Sequence, residues 1–241
     1  MNINISGCGQ VAPGEYESIR VSGSGKLLGM VRCNYFSGTG SCRGEELDCT
    51  GLVKVSGSSK FTKDIRAQNV AIAGALTCGG DMMVQEELKC SGSMECNSNI
   101  KCGTLKVSGA AEVDQGVEAE NVIVSGTLDC EGLLNAENVD ISGGGMRIGS
   151  IGGSNITIRR GKAMRTLARI PLLSTVLKSV ASKVSVPGGI EGDVIELENV
   201  KTPMVSGRIV IIGKDCEIGL VQYSETISID AEANVTSSEQ V

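Results

Sequence analysis

The chain has 241 residues with a formal net charge of −6, and 41% of them are hydrophobic, although Trp is absent and only two Phe and three Tyr occur. It has no His, which excludes catalysis by the commonest general base and metal binding by the commonest ligand. A hydrophobic core that is poor in aromatic rings fits a narrow prism better than a wide globule. The charge is also uneven, because residues 141–190 contain eight Lys or Arg and no Asp or Glu.

A short motif, Val/Ile-Ser-Gly or a near variant, recurs from the N-terminus onward. Its glycines fall at intervals of 16, 15 and 19 residues and then of 17 or 18 residues. These glycines are Gly7, Gly23, Gly38, Gly57, Gly74, Gly92, Gly109, Gly126 and Gly143. A fixed period of this kind indicates a solenoid, in which each repeat buries its apolar faces against its neighbours.

Alignment of the repeats from Val55 onward places apolar residues or Cys in recurring columns, with polar residues between them. One of these columns contains Phe61, Cys78 and Cys96. Short alternating stretches separated by Gly or Asn are typical of half-buried strands, three in each repeat. A recurring asparagine is predicted to turn a corner and to hydrogen-bond along the stack; it is found at Asn69, Asn121, Asn138 and Asn155. We therefore predict an all-β fold, a single-stranded parallel β-helix with rungs of about 17 residues.

The rung pattern divides the chain into four segments. It covers residues 1–158, is interrupted at 159–186 and resumes at 187–232, and residues 233–241 are predicted to be a polar tail. The interruption is basic, and residues 171–184 have apolar side chains at helical spacing. One hypothesis is an amphipathic helix that contacts an anionic membrane, and the other is a helix that packs on the solenoid and shields its strand edges. The predicted membrane contacts are Arg165, Arg169, Leu173, Leu177, Lys178, Val180, Lys183 and Val184.

The ten cysteines include no C-x-x-C pair, and the chain shows no secretory leader, so we expect free thiols in a reducing cytoplasm. Cys90, Cys96 and Cys102 are six residues apart, which places one on each wall of a rung. We interpret them as small buried hydrophobes and not as metal ligands. Cys78 and Cys96 are neighbours in one column, but in-register side chains disfavour the torsion of a disulfide.

Other common sites are not predicted from the sequence. There is no G-x-x-x-x-G-K-S/T motif, so we expect no nucleotide and no cofactor. No apolar run approaches the ~20 residues of a membrane span. Glu120 and Glu137 share a column and could hold a cation, although two solvated carboxylates are the simpler interpretation.

The chain resembles the bactofilins, the polymer-forming cytoskeletal proteins of bacteria. The resemblance is carried by the Val-Ser-Gly rungs, above all by VSGAAEVDQGVEAENVIVSGTLDCEGLLNAENVDISG at residues 107–143. The stretches IEGDVIELENV at 190–200 and VSGRIVIIGKDCEIGLVQYSETISIDAEANV at 205–235 are similar to the longer form of Gram-positive bacteria. The resemblance implies a right-handed β-helix that polymerises end to end without nucleotide.

The expected function is therefore a self-assembling, non-enzymatic scaffold in the cytoplasm, at the inner face of the membrane where the basic segment contacts it. The expected partner is the chain itself or a paralogue, with no nucleic acid. An exposed strand edge over an apolar cross-section is a natural docking face. The candidate interface residues are Ile3, Ile5, Val11 and Ile19 at one end, and Ile218, Val221, Ile227 and Ile229 at the other. The alternative function is that of a carbohydrate-active enzyme or carbohydrate-binding protein built on a β-helix.

Overall fold

The computed structural model describes residues 1–161 and 183–241. These residues form strands and turns and contain no helix, and the strands pair in parallel. The chain divides into two compact units, unit 1 at Met1–Ala119 and unit 2 at Glu120–Val241. Each unit is a stack of parallel rungs, so the predicted all-β parallel solenoid is confirmed. The predicted helical insertion lies largely outside the described residues.

Unit 1 is built from an alternation of long and short strands. The strands are β1 (Asn2–Ile5), β2 (Cys8–Val11), β3 (Gly14–Val21), β4 (Ser24–Leu27), β5 (Met30–Gly38), β6 (Ser41–Gly44), β7 (Glu46–Val55), β8 (Ser58–Phe61), β9 (Ile65–Ile72), β10 (Ala75–Cys78), β11 (Met82–Cys90), β12 (Ser93–Cys96), β13 (Ile100–Val107) and β14 (Ala110–Val113). The next strand, β15 (Val117–Val124), crosses the boundary between the units. One short and one long strand make each rung of about 17 residues.

The register of unit 1 places the apolar columns in the core. Phe61 pairs with Cys78, and Cys78 pairs with Cys96, as the sequence columns predict. Within the short strands β8 and β12 the buried side chains alternate with exposed ones. The extra residue in one rung forms an irregularity between Val84 and Glu87, after which the register recovers.

The corners of unit 1 are glycines because the rungs leave no space for a side chain there. A Cβ atom on Gly40 or Gly57 would lie 2.1 Å from a carbonyl oxygen of the preceding rung. The assignment of Gly38 to this series is wrong: Gly38 ends β5 and pairs with Val21 and Val55 inside the stack. With Gly40 in its place, the first three intervals become 16, 17 and 17 residues, so the repeat is regular from the start.

Unit 2 contains longer strands that bend at the corners. They are β16 (Thr127–Ser142), β17 (Ile148–Arg159), β18 (Val184–Ser185), β19 (Ile190–Leu197), β20 (Val200–Ile212), β21 (Glu217–Ile229) and β22 (Asn234–Gln240). The predicted asparagine row is present, since Asn138 donates to Asn121 and Asn155 donates to Asn138, both at 3.0 Å. After the segment at 162–182, β19 stacks directly on β17, with Ile158 opposite Leu197.

Candidate assembly surfaces

The outermost strands of unit 1 have a partner on one side. Within the described residues β1 pairs with β3 and β2 pairs with β4. Ile3 lies opposite Ile19, and Val11 lies opposite Leu27. Because a parallel strand offers alternating backbone groups to both sides, half of the N–H and C=O groups of β1 point away from β3. This edge can therefore accept another parallel strand.

An apolar side chain covers part of the cross-section behind this edge. Ile5 is 9% exposed, and its side chain lies 3.3 Å from the position of a Cβ atom on Gly9. Ile3 is half-buried, whereas Ile19 is completely buried by the rung that follows it. Ile3 is therefore the candidate residue of this end that presents apolar surface, because Ile5 and Val11 are also buried although they lie on the outermost strands.

The outermost strands of unit 2 leave a second apolar surface. β22 pairs with β21 from Glu217 to Tyr223. The remainder of β21 has β20 as its partner on one side, with Ile227 opposite Val210 and Ile229 opposite Ile212. Val210 and Ile212 are buried, whereas Ile229 occupies the same inward column and is 41% exposed. Among the described residues, Ile227 and Ile229 have no strand on their other side, since the pairing of β22 ends at Tyr223.

The eight predicted interface residues therefore differ in access. Ile3 and Ile227 are half-buried and Ile229 is exposed, so these three present apolar surface. The others are Ile5, Val11, Ile19, Ile218 and Val221, and each is at most 9% exposed. Ile218 and Val221 are covered by β22, which was predicted as part of a polar tail at 233–241.

Two of the predicted membrane contacts lie in the described part of the chain. Val184 is completely buried in β18 and pairs with Val200, so its side chain belongs to the core of unit 2. The Lys183 ammonium lies 2.7 Å from Oε1 of Glu217 and forms an ion pair with that carboxylate. The other six, Arg165, Arg169, Leu173, Leu177, Lys178 and Val180, lie outside the described residues.

A cluster of charged and polar side chains surrounds Arg160, directly after the end of β17. The Arg160 guanidinium is 14% exposed, and its Nη2 donates to Asp215 at 2.9 Å and to the Asn199 side-chain oxygen at 3.3 Å. The Arg160 amide also donates to Glu198 at 3.4 Å. Arg160 thus ties β17 to the two corners that follow it in the stack. Sequence reasoning missed this contact, because the partners are 39 and 55 residues away along the chain.

The cysteines are free thiols, and nine of the ten are buried. Burial raises the pKa of Cys42 and of Cys102 to about 12 and that of Cys90 to about 11, so these thiols are protonated at neutral pH. A hydrogen bond with Cys49, together with burial, raises the pKa of Cys33. The described residues include no group of three or more Cys, Asp or Glu side chains arranged to hold a metal ion.

A groove of about 730 Å³ crosses one wall of unit 2. Its floor consists largely of Gly and Ser, and Glu191 and Asp193 supply carboxylates. Leu133 and Met204 also line it, and their side chains are 49% and 40% exposed. Among residues 1–161 and 183–241, no helix is long and apolar enough to span a membrane.

Comparisons with known proteins give two partial relatives. The chain is 40% identical over 91 residues to the uncharacterized protein YhbE of Bacillus subtilis (strain 168), which covers 36% of this chain and 33% of that protein. It is 31% identical over 85 residues to the uncharacterized protein YhbF of the same organism, covering 35% and 31%. The chain thus matches about a third of the length of these relatives. No family model matches, and no solved structure matches.

Proposed function

We propose that this protein is a non-enzymatic scaffold that assembles with copies of itself, without nucleotide, through the outermost strands of its rungs. The observation that carries the proposal is Ile229, an inward-column residue that is 41% exposed while its neighbour Ile212 is buried. A further rung from another copy would bury Ile227 and Ile229 in the way that β21 buries Val210 and Ile212. About 25 cal/mol is gained for each Å² of apolar surface that is removed from water.

The open edge of β1 supports the same proposal for unit 1. Its free backbone groups can pair with a strand of a second copy, and Ile3 adds apolar contact. Two different surfaces on one chain allow a contact that repeats, and a repeating contact that does not close into a ring gives filaments. The proposed compartment is the cytoplasm, and the ten free cysteines are consistent with its reducing environment.

The test compares two charge substitutions at similarly exposed isoleucines. Ile229→Glu places a carboxylate on the proposed interface, whereas Ile211→Glu places it on the side of the stack, where Ile211 is 42% exposed. We expect assembly by the wild type and by Ile211→Glu, and a loss of at least tenfold in assembled mass for Ile229→Glu, measured by sedimentation velocity.

Thermal unfolding of each variant shows whether the fold survives the substitution. Equal assembly of the two folded variants would remove β21 from the interface, and Ile3→Glu then tests the β1 edge in the same way. A carbohydrate-active β-helix would instead remain as discrete particles in all four proteins.

A further inference from the structure

One corner of unit 1 carries cations and hydroxyl groups without any carboxylate. β3, β5 and β7 end at this corner, and β4, β6 and β8 begin there. The residues around it, 18–28, 35–44 and 52–62, contain no Asp or Glu, although the chain as a whole is acidic. We call this surface the cationic corner; it consists of Arg20, Lys26, Arg43, Lys54 and Lys60 with the hydroxyl groups of Ser22, Ser24, Thr39, Ser41, Ser56 and Ser58.

The parallel register aligns these cations in two rows. Lys26 lies opposite Arg43, and Arg43 lies opposite Lys60, so three consecutive rungs each place one cation on the same column. Arg20 and Lys54 occupy a second column on the other side of the corner, with Ser37 between them. Adjacent rungs of a parallel sheet are about 4.8 Å apart, so the charges repeat at that spacing along the stack.

These five cations differ from their neighbours in having no ion pair with a described residue, whereas Arg32, Lys63, Arg66, Lys101 and Lys106 each contact a carboxylate. Glu45 adjoins this surface; it accepts hydrogen bonds from the amide of Gly29 at 3.1 Å and from the Lys63 ammonium at 3.2 Å, and these contacts, with a smaller contribution from Lys26, lower its pKa. Like charges held at a fixed spacing repel one another, and a bound anion would relieve that repulsion.

We propose that the cationic corner binds a linear polyanion whose charges are phosphates, such as inorganic polyphosphate. Ammonium, guanidinium and hydroxyl groups are all donors, and phosphate oxygens accept several such bonds at once. The Ser22 and Thr39 hydroxyl groups already donate to the Ile5 and Val21 carbonyl oxygens, so the cations and the other serines supply the donors. The straight rows of charge fit a ligand that extends along the stack.

Two other polyanionic partners fit the corner less well. Single-stranded nucleic acid is held largely by bases that stack on exposed aromatic rings. The aromatic ring of this surface is that of Tyr35, and the Arg20 guanidinium lies over it at 5.2 Å from its centroid. This face of the ring is therefore already in contact with Arg20 and is not open to a base. A lipid bilayer is held best where apolar side chains accompany the cations. The exposed large hydrophobic residues of the described chain lie elsewhere, at Met1, Met83, Ile123, Leu133, Met204, Ile211, Ile229 and Val241.

The experiment titrates the full-length chain with medium-chain inorganic polyphosphate and follows binding by calorimetry at several salt concentrations. The double variant Arg43→Gln/Lys60→Gln should lose at least tenfold in affinity, and its binding should depend less steeply on salt. The matched control is Lys101→Gln/Lys214→Gln, which removes the same charge from two exposed cations that have carboxylate partners. We expect the control to change affinity less than twofold.

Each outcome decides the proposal. An equal loss in the two double variants would overturn the assignment to the corner. Binding of polyglutamate as tight as that of polyphosphate would overturn the preference for phosphate. Binding of single-stranded DNA or of phosphatidylglycerol vesicles, with polyphosphate unbound, would assign the corner to those partners and overturn the proposal. The substituted positions are exposed, so each variant should keep its thermal unfolding temperature.

Discussion

The corners of unit 1 and two of the corners of unit 2 are turned by different means. In unit 1 the corner residue is glycine, and the carbonyl oxygens of the preceding rung occupy the place of its side chain. In unit 2 the corners that follow Leu197 and Ile212 contain Asn199 and Asp215, with φ of 61° and 59°. Asn and Asp are the residues with side chains that best tolerate this left-handed conformation.

The difference explains why the Val-Ser-Gly repeat fades after residue 158 while the stack continues. β19, β20 and β21 pair in parallel, with one irregularity between Gly207 and Ile209, so the rung is retained after the Val-Ser-Gly motif changes. A side chain can occupy the corner in unit 2, and the Asn199 side chain there contacts Arg160. At the glycine corners a side chain would overlap the carbonyl oxygens of the preceding rung, so the motif keeps its glycine. At the corner of Asn199 the side chain is accommodated and hydrogen-bonds to a residue of the preceding rung.

The largest expected effect is at a glycine corner of unit 1. Gly57→Ala would place a Cβ atom 2.1 Å from the Gly40 carbonyl oxygen, so adjacent rungs must separate. We expect a loss of about 3 kcal/mol or more in the free energy of unfolding, measured by urea denaturation. Gly7→Ala is the control, because no atom lies within 4 Å of its added Cβ. Similar losses in the two variants would contradict the explanation by volume.

The second effect is at the charged corner of unit 2. Arg160→Ala removes the guanidinium that contacts the Asp215 carboxylate. The Arg160 side chain is 14% exposed, so this ion pair is largely shielded from water. We expect a loss of about 2 kcal/mol in unfolding free energy, between the values for exposed and fully buried ion pairs. Lys214→Ala breaks an exposed pair with Glu232 and should leave the free energy of unfolding nearly unchanged. The account fails here if the two substitutions cost the same.

A third effect compares a buried hydroxyl group in each unit. Thr202 in unit 2 donates to the Val186 carbonyl at 2.8 Å, whereas Ser59 in unit 1 has no hydrogen-bond partner among the described residues. Thr202→Val should therefore lower the unfolding free energy by about 1 kcal/mol. Ser59→Ala should leave it unchanged or raise it by up to ~1 kcal/mol. A marked loss for Ser59→Ala in thermal unfolding would show that its hydroxyl has a partner.

The smallest effect is the acid dependence of unit 1. Hydrogen bonds from the Ser98 hydroxyl at 2.6 Å and from the Asn99 amide at 3.2 Å hold the pKa of Asp81 below its usual value. This stabilisation is present above the unfolded-state pKa of about 3.9 and is lost as pH falls through the lower folded-state pKa. Asp81→Asn should cost about 1 kcal/mol at pH 7 and less below pH 3. An unchanged difference across that range would contradict this role.

The apolar columns could be predicted from the sequence because every rung repeats the same burial. The column that contains Phe61, Cys78 and Cys96 could be read from the aligned repeats for this reason. β22 was missed because its side chains are mostly polar and exposed, so its pairing with β21 rests on backbone groups that leave no pattern. Gly40 was missed because Thr-Gly resembles the motif less than the nearby Ser37-Gly38 does, and only the register separates them.

The sequence predicted which parts of the chain form the candidate surfaces, but not which of their side chains are exposed. Ile229 could be named from its position, whereas the burial of Ile218 and Val221 depends on β22. The contact between Arg160 and Asp215 depends on which rungs become neighbours after residues 162–182, and the spacing of the sequence does not give that.

Negative-stain electron microscopy of the purified wild-type chain, without nucleotide and at several concentrations, tests the central claim most directly. The account predicts filaments whose length increases with protein concentration, and discrete particles for Ile229→Glu or Ile3→Glu. Wild-type particles that remain single at the highest concentration, with the rungs intact by circular dichroism, would contradict assembly through the outermost strands.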